Sequence, residues 1–460
     1  MNENLREGKI GNLYEEKEMK RMDPKIAREV VEQLPVKEVE RSLSEFLKPL
    51  LEKIPDKRLR EGIGLAVRGI ISSESPIILR MAQAVERTRS GVWAAAKRMY
   101  RMLKNDRYTT TDMEEGMATI ARQSVEKDQV DYLVVAVDPV NFEKPYTEKL
   151  EGVSTVHKST PPDRNGKARL TPGYPSITAS VVNTRIPATT YARWFSYTTD
   201  FISENVEIQK TFDATTAIFP DYRIRYVTDA GLDDQRWFAA LQEQEFIIRA
   251  SHMERLVEVY NERLGRWETE SLGELVAVVP FTHTFFPTFS HARTTRTATV
   301  KIGWYALRLP KTHQLLWAIV AYEEKLNRTL VLLTNIPLHS VAQVRSVYND
   351  WRLRTRIEHG YRFDQEQGLD VEDIRLHTLD RMQRLFLLVL LSAQFVFYLS
   401  DTWPEPAVTW IRSLGGKLHL KNDLDGPYLL LRGLSSLFKT VVTLSHAVVH
   451  PFPFHFMTYG

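Results

Sequence analysis

The 460-residue chain contains no cysteine. Disulfide staples, thiolate metal sites and cysteine nucleophiles are therefore excluded, and a reducing compartment is compatible with the composition. Net charge is almost absent as well, since 61 Lys and Arg against 58 Asp and Glu leave +3 at neutral pH. Any affinity for nucleic acid must come from locally concentrated basic residues, not from bulk charge. The first thirty residues are charged and mixed, without the apolar centre of a leader, so the expectation is a cytoplasmic protein with no signal peptide. There is no internal repeat and no low-complexity tract. The longest apolar run, Leu385 to Leu399, is short for a bilayer and is flanked by no charge asymmetry, so it is expected as a buried helix with no membrane role.

What is present is an ordinary soluble composition, 43% hydrophobic and 26% charged, long enough to bury a large core in roughly two to four domains. Residues 1–75 alternate charged clusters with apolar spacing and read as short amphipathic helices punctuated by Pro35, Pro49 and Pro55. Ser75-Pro76 is a helix start and Arg89-Ser90-Gly91 a plausible turn. The helix beyond it carries Lys97, Arg98, Arg101 and Lys104, beside Trp93, Met99 and Met102. A solvated basic face and a helical DNA-binding unit both fit that pattern.

From Asp131 the texture changes to strands. The apolar runs Tyr132–Val140 and Tyr222–Gly231 each reach an Asp, Asp138 and Asp229. In an α/β sheet, side chains at the carboxyl ends of strands leave the packed core and meet a ligand, so these two carboxylates can converge. Helices are expected over about 203–217 and 233–244, and a further strand, EFIIR, ends at Arg249. On composition alone Arg249 is a structural or surface arginine. Residues 253–337 are strand-rich again, including Glu274 to Phe281, and form a block too long for a loop.

The segment Trp351–Gln365, WRLRTRIEHGYRFDQ, is expected to be one helix. At about 100° per residue, Trp351, Arg354, Glu358 and Gln365 fall within roughly a 60° arc, while Leu353 and Ile357 point the other way to pack. A lone Glu on a helix is ordinarily solvated; two acidic strand ends change how Glu358 reads. The ordered set Asp138, Asp229, a β-rich insertion, then Trp351-x2-Arg354-x3-Glu358-x6-Gln365 resembles DDE transposases of the insertion-sequence-four superfamily, with their Tyr-Arg-Glu-Lys signature, as in the transposases of transposons five and ten. The likeness spans roughly residues 80–400.

The resemblance implies an α/β architecture: an RNase H-like mixed sheet flanked by helices, with a β-strand insertion domain and helical N- and C-terminal regions. The expected divisions are 1–130 (helical, DNA-binding), 131–252 (first part of the core), 253–337 (insertion), 338–400 (second part, with the signature helix) and 401–460 (helical, possible dimerisation). It also implies two Mg²⁺ or Mn²⁺ ions per site, held by Asp138, Asp229 and Glu358, since hard cations favour carboxylate oxygens. Glu366 is an alternative third carboxylate. DNA contacts would come from Arg249, Trp351, Arg354 and Gln365, and from Lys97, Arg98, Arg101 and Lys104. Trp351 stands where the family has Tyr, and Gln365 where it has Lys. Leu330 stands where the family has a base-stacking Trp, leaving Trp304 and Trp317 as stacking candidates, with core packing the competing role of each. The implied activity is cut-and-paste transposition through a hairpin intermediate, by a homodimer acting on double-stranded transposon ends and target DNA at the bacterial nucleoid. A transposase-derived protein that binds without cutting, and an RNase H-like structure-specific nuclease, are the alternatives.

Overall fold

Among the described residues five helices precede the first strand: α1 (Val36–Glu52), α2 (Lys57–Ser73), α3 (Ile78–Val85), α4 (Arg89–Leu103) and α5 (Thr110–Asp128). Their starts are set by side-chain oxygens that accept otherwise unpaired amide protons. Asp56 accepts from Arg58 N at the start of α2, Thr88 from Gly91 N at the start of α4, and Thr109 and Asp112 form a reciprocal capping box on α5. Thr88 thereby places Arg89-Ser90-Gly91 in the first turn of α4, not in the expected turn, and Pro49 lies within the last turn of α1 without breaking it. The computed structural model describes residues 29, 32–145, 147, 149–158, 160, 167–199, 201–291, 294–357, 360, 368–416 and 426–449.

The centre is a twelve-stranded sheet. Its first part comprises β1 (Leu133–Glu143), β2 (Ser154–His157), β3 (Leu170–Val181) and β4 (Ala188–Trp194), then α6 (Glu204–Ile218), β5 (Ile224–Thr228), the short α7 (Gln235–Ala240) and β6 (Glu245–Arg249). β1 pairs antiparallel with β3 and parallel with β5, and β5 pairs parallel with β6. The sheet is therefore mixed but mostly antiparallel. Where a second helix was expected over 233–244, only the short α7 forms, because Asp233 is drawn away into a buried ion pair and Asp234 caps the helix instead.

The next block contains β7 (Leu256–Asn261), β8 (Arg266–Ser271), α8 (Leu272–Val278), β9 (His283–Phe285), β10 (Thr288–His291), β11 (Thr294–Thr297), β12 (Val300–Arg308), β13 (Leu315–Glu323) and β14 (Arg328–Thr334). All but the small β10–β11 hairpin continue the central sheet, which runs on from β6 through β14, β13, β12, β7 and β8. The junction is β14 on β6, with Leu332 opposite Arg249. β14 supplies an apolar partner that covers an edge β6 would otherwise expose. The expected strand at Glu274–Phe281 is instead α8, because Ser271 and Glu274 form a capping box.

One face of the sheet packs α6, α7 and α5 residues against Val135, Val137, Tyr226 and Ile248; the other packs α9 (Val341–Arg352) against Val134, Ala136, Val227 and Ile247. The last described helices are α10 (Leu379–Thr402), α11 (Glu405–Leu414) and α12 (Gly426–Val449). Helices from the two ends of the chain share one core, which joins Val39, Leu47, Ile70 and Met99 to Leu388, Phe395, Leu434 and Phe438. α10, which holds the long apolar run, is long and apolar enough to cross a membrane, yet 67% of its most apolar stretch is buried within the protein. It also seals the β4 edge: the Gln383 amide accepts from Trp194 N and donates to the Ala192 carbonyl, both at 2.8 Å, as a neighbouring strand would.

Candidate active site

The last register pair between parallel strands β1 and β5 is Val137 with Thr228. The next residues on each chain are Asp138 and Asp229, which therefore sit side by side. Side chains alternate along a strand, so both share the face of Ala136 and Val227, the face covered by α9. Arg249 follows Ile247 by two on β6 and points to the same side. β1 does not end at Asp138 as the sequence suggested, for it continues to Glu143 against β3 with Asp138 opposite Thr178. What ends there is its parallel partner.

Between the two carboxylates comes Arg354. Its guanidinium lies 4.0 Å from the Asp138 carboxylate and 3.7 Å from that of Asp229, and the side chain is buried. Arg249 approaches Asp229 from the rim, donating from Nη1 to Oδ1 at 3.3 Å; these two side chains are 41% and 37% exposed. Two arginines thus surround two carboxylates.

The segment expected as one helix from Trp351 is not continuous. α9 stops at Arg352, and Leu353 and Arg354 form a turn in which Arg354 N donates to the Trp351 carbonyl at 3.1 Å. Trp351 and Arg354 remain neighbours, with the guanidinium carbon 5.8 Å from the indole ring centroid. Trp351 is buried, packs in the same cluster as Ile357 instead of opposite it, and donates its indole N–H to the Thr228 carbonyl at 3.1 Å. It fixes the turn against the residue preceding Asp229. Glu358, Gln365 and the alternative Glu366 lie outside the described residues. Among the described residues no group of three or more His, Asp and Glu side chains is placed to hold a metal ion.

A buried brace holds α9 in place. Arg225, at the start of β5, donates from Nε and Nη2 to Glu245 at 2.8 and 2.6 Å and from Nη1 to Asp350, the neighbour of Trp351. Tyr132 adds its hydroxyl to Asp350 at 3.0 Å and its ring beneath the Arg225 guanidinium at 4.6 Å. Burial pushes the Asp350 carboxyl above its usual range, more than Arg225 and Tyr132 draw it down. A second brace lies beside Asp229. Asp233 is fully buried, accepts the backbone N–H groups of Ser251 and His252, and pairs with Arg255 at 2.5 Å. It ties the loop after Asp229 to the loop after Arg249.

These braces were not read from the sequence. The Asp233-Asp234 pair was visible only as a helix start, and Arg225 and Asp350 are 125 residues apart, with no local signal linking them. Arg193 staples β4 to α5 through hydrogen bonds of 2.7 to 3.0 Å to Glu114.

The remaining candidates stand elsewhere. Lys97, Arg98, Arg101 and Lys104 are exposed on α4, opposite the buried Ala95, Ala96, Met99 and Met102. Lys97 rests over the exposed Trp93, 5.3 Å from its ring centroid. Trp317 and Trp304 lie on β13 and β12, three and four strands from β5, or about 14 and 19 Å at the usual strand spacing. Both are half-buried against the α9-side core, Trp304 with His283 and Trp317 edge-on to His339, each at 5.5 Å. Leu330 is buried in that same core.

No protein-family model matches this chain, and no curated protein matches it. Among solved structures it is similar to a piggyBac transposase in a cryo-EM synaptic complex with hairpin DNA, at 10% identity over 96% of this chain and 87% of that one, with a TM-score of 0.37.

Proposed function

We propose that the chain is a metal-dependent DNA transposase of DDE type, acting as a homodimer on paired DNA ends. The observation that carries this reading is the convergence of Asp138 and Asp229, at the mouth of adjacent parallel strands, around an arginine supplied by the turn after α9. The strand order β4-β3-β1-β5-β6, three antiparallel neighbours followed by two parallel ones, supports an RNase H-like core, and the β-rich block between Asp229 and α9 supports the insertion expected of the family.

The donor set suits a hard divalent cation. Asp138 and Asp229 offer carboxylate oxygens only, and they already enclose a positive charge. These two residues, with Glu358 by resemblance, would hold Mg²⁺ or Mn²⁺. Such ions supply, when bound, the Lewis acidity that phosphodiester hydrolysis and strand transfer require. The chain's own groups do the rest. Arg249, on the exposed rim, is placed to take a phosphate beside the reacting bond, and Arg354 offers the fork geometry that suits one. Trp351 holds that turn through Thr228. The basic face of α4 supplies affinity for the duplex through phosphate contacts.

The test is cleavage, with Mg²⁺, of duplexes carrying the ends of the element that encodes the chain, comparing wild type with Asp138→Asn and Glu358→Gln at matched DNA binding. Cutting by the wild type, lost in both variants, together with joining of the freed 3′ ends to a target duplex, is the expected result. Cutting without joining would instead identify a nuclease. Tight binding with no cutting under Mg²⁺ or Mn²⁺ would refute the enzymatic reading.

A further inference from the structure

Two carboxylates on neighbouring strands repel each other unless a cation lies between them. Here that cation is part of the chain. Arg354 is buried, its guanidinium stands 4.0 Å from Asp138 and 3.7 Å from Asp229, and it reaches both from a turn pinned by Trp351. These are ion-pair separations, longer than good hydrogen bonds, and the fork offsets part of the charge of both members. We infer that Arg354 is the resident counter-cation of the acidic pair and competes with the divalent metal for it. This rests on the metal-site reading given above and adds to it an order of events: the guanidinium must leave the carboxylates before metal fills the site.

A phosphate is the anion that would draw it away. A guanidinium fork binds phosphate oxygens in two parallel hydrogen bonds, and the long arginine stem allows the head to move while the turn stays in place. Arg249 cannot serve in the same way. It meets Oδ1 of Asp229 at 3.3 Å, from a position two-fifths exposed to water, where a charge is well screened. Metal loading is thereby linked to DNA binding, and the DNA-free protein is guarded against filling its site.

Titration calorimetry of Mn²⁺ into the DNA-free full-length chain tests the competition. Arg354→Gln is expected to bind Mn²⁺ roughly tenfold or more tightly than wild type, since one unit charge is removed beside the ion, whereas Arg249→Gln changes the affinity by less than about threefold. Asp138→Asn with Asp229→Asn abolishes binding in either background. Equal or weaker Mn²⁺ binding by folded Arg354→Gln overturns the competition and leaves the metal site standing; Mn²⁺ binding that survives loss of both aspartates overturns the metal site itself. The wild type provides a test that needs no folded variant. Mg²⁺ titrated into protein with ¹⁵N-labelled arginine should move one buried guanidinium resonance with the same midpoint as Mg²⁺ binding, and saturation that leaves every buried guanidinium signal in place refutes the inference.

Discussion

Replacing Arg225 by Met tests whether the brace at the start of β5 positions the α9 turn. In the native fold this arginine is buried between Glu245 and Asp350, with the Tyr132 ring beneath it. Methionine keeps much of the stem but removes the cation between Asp350 and Glu245, leaving Glu245 with the more exposed Arg223, 3.6 Å away. Removing one partner of a buried ion pair costs about 3–5 kcal/mol, and the lost cation–π contact about 0.5–2 kcal/mol more. The deficit depends on pH in a definite direction. Burial already holds the Asp350 carboxyl above its ordinary 3.8, and loss of Arg225 raises it further. A carboxyl whose folded pKa lies above its unfolded value binds a proton on folding in the interval between them, so its contribution falls as pH rises through that interval. The variant should therefore be most handicapped near pH 7 and recover part of the deficit as pH falls and Asp350 takes up its proton. Urea unfolding followed by far-UV circular dichroism at pH 7 and pH 5 gives both numbers. A deficit under about 1 kcal/mol at pH 7, or one that does not shrink at pH 5, refutes the claim that the brace carries this load. The functional arm is cleavage rate at matched DNA binding, which should fall because Trp351 and Arg354 follow directly after Asp350.

Lys144 is buried with its ammonium group donating to the carbonyls of Glu372 and Ile374, and burial lowers its pKa to about 8. Between that value and its ordinary 10.5 the unfolded chain binds the extra proton, so stability rises with pH across the window; against Lys144→Met, wild type should gain about 2 kcal/mol between pH 7 and 9.5 in urea titrations, and a constant difference would refute this. Converting Lys97, Arg98, Arg101 and Lys104 together to Gln should weaken duplex binding and reduce the steepness of the log affinity against log salt plot by up to about 3–4, measured by fluorescence anisotropy. An unchanged slope would mean that the α4 face does not meet DNA.

The strands around the site were legible because each is short, apolar and bounded by polar residues, and the two aspartates stood out as acidic residues ending apolar runs. Periodicity could not show that β14 joins β6, since Val331, Leu332 and Leu333 suit a strand in any sheet. Nor could it separate a strand from a helix at Glu274–Val278, where only the Ser271 and Glu274 capping pair marks a helix start. The α10 run was rightly expected to be buried, but its role as cover for the β4 edge depends on Gln383, a residue that composition would send to the surface.

The site itself explains why periodicity worked for part of the signature segment and not for the rest. A continuous helix predicts that Trp351 and Arg354 share a face at three-residue spacing, and they do lie together. They do so through a turn that also follows a three-residue hydrogen bond, from Arg354 N to the Trp351 carbonyl, so the spacing survives although the helix ends. The same turn brings Ile357 into the core with Trp351, whereas a continuous helix would set the two about 120° apart. An arginine carried on such a turn can reach two strands at once. From this turn the Arg354 guanidinium stands 4.0 Å from Asp138 and 3.7 Å from Asp229, on two neighbouring strands.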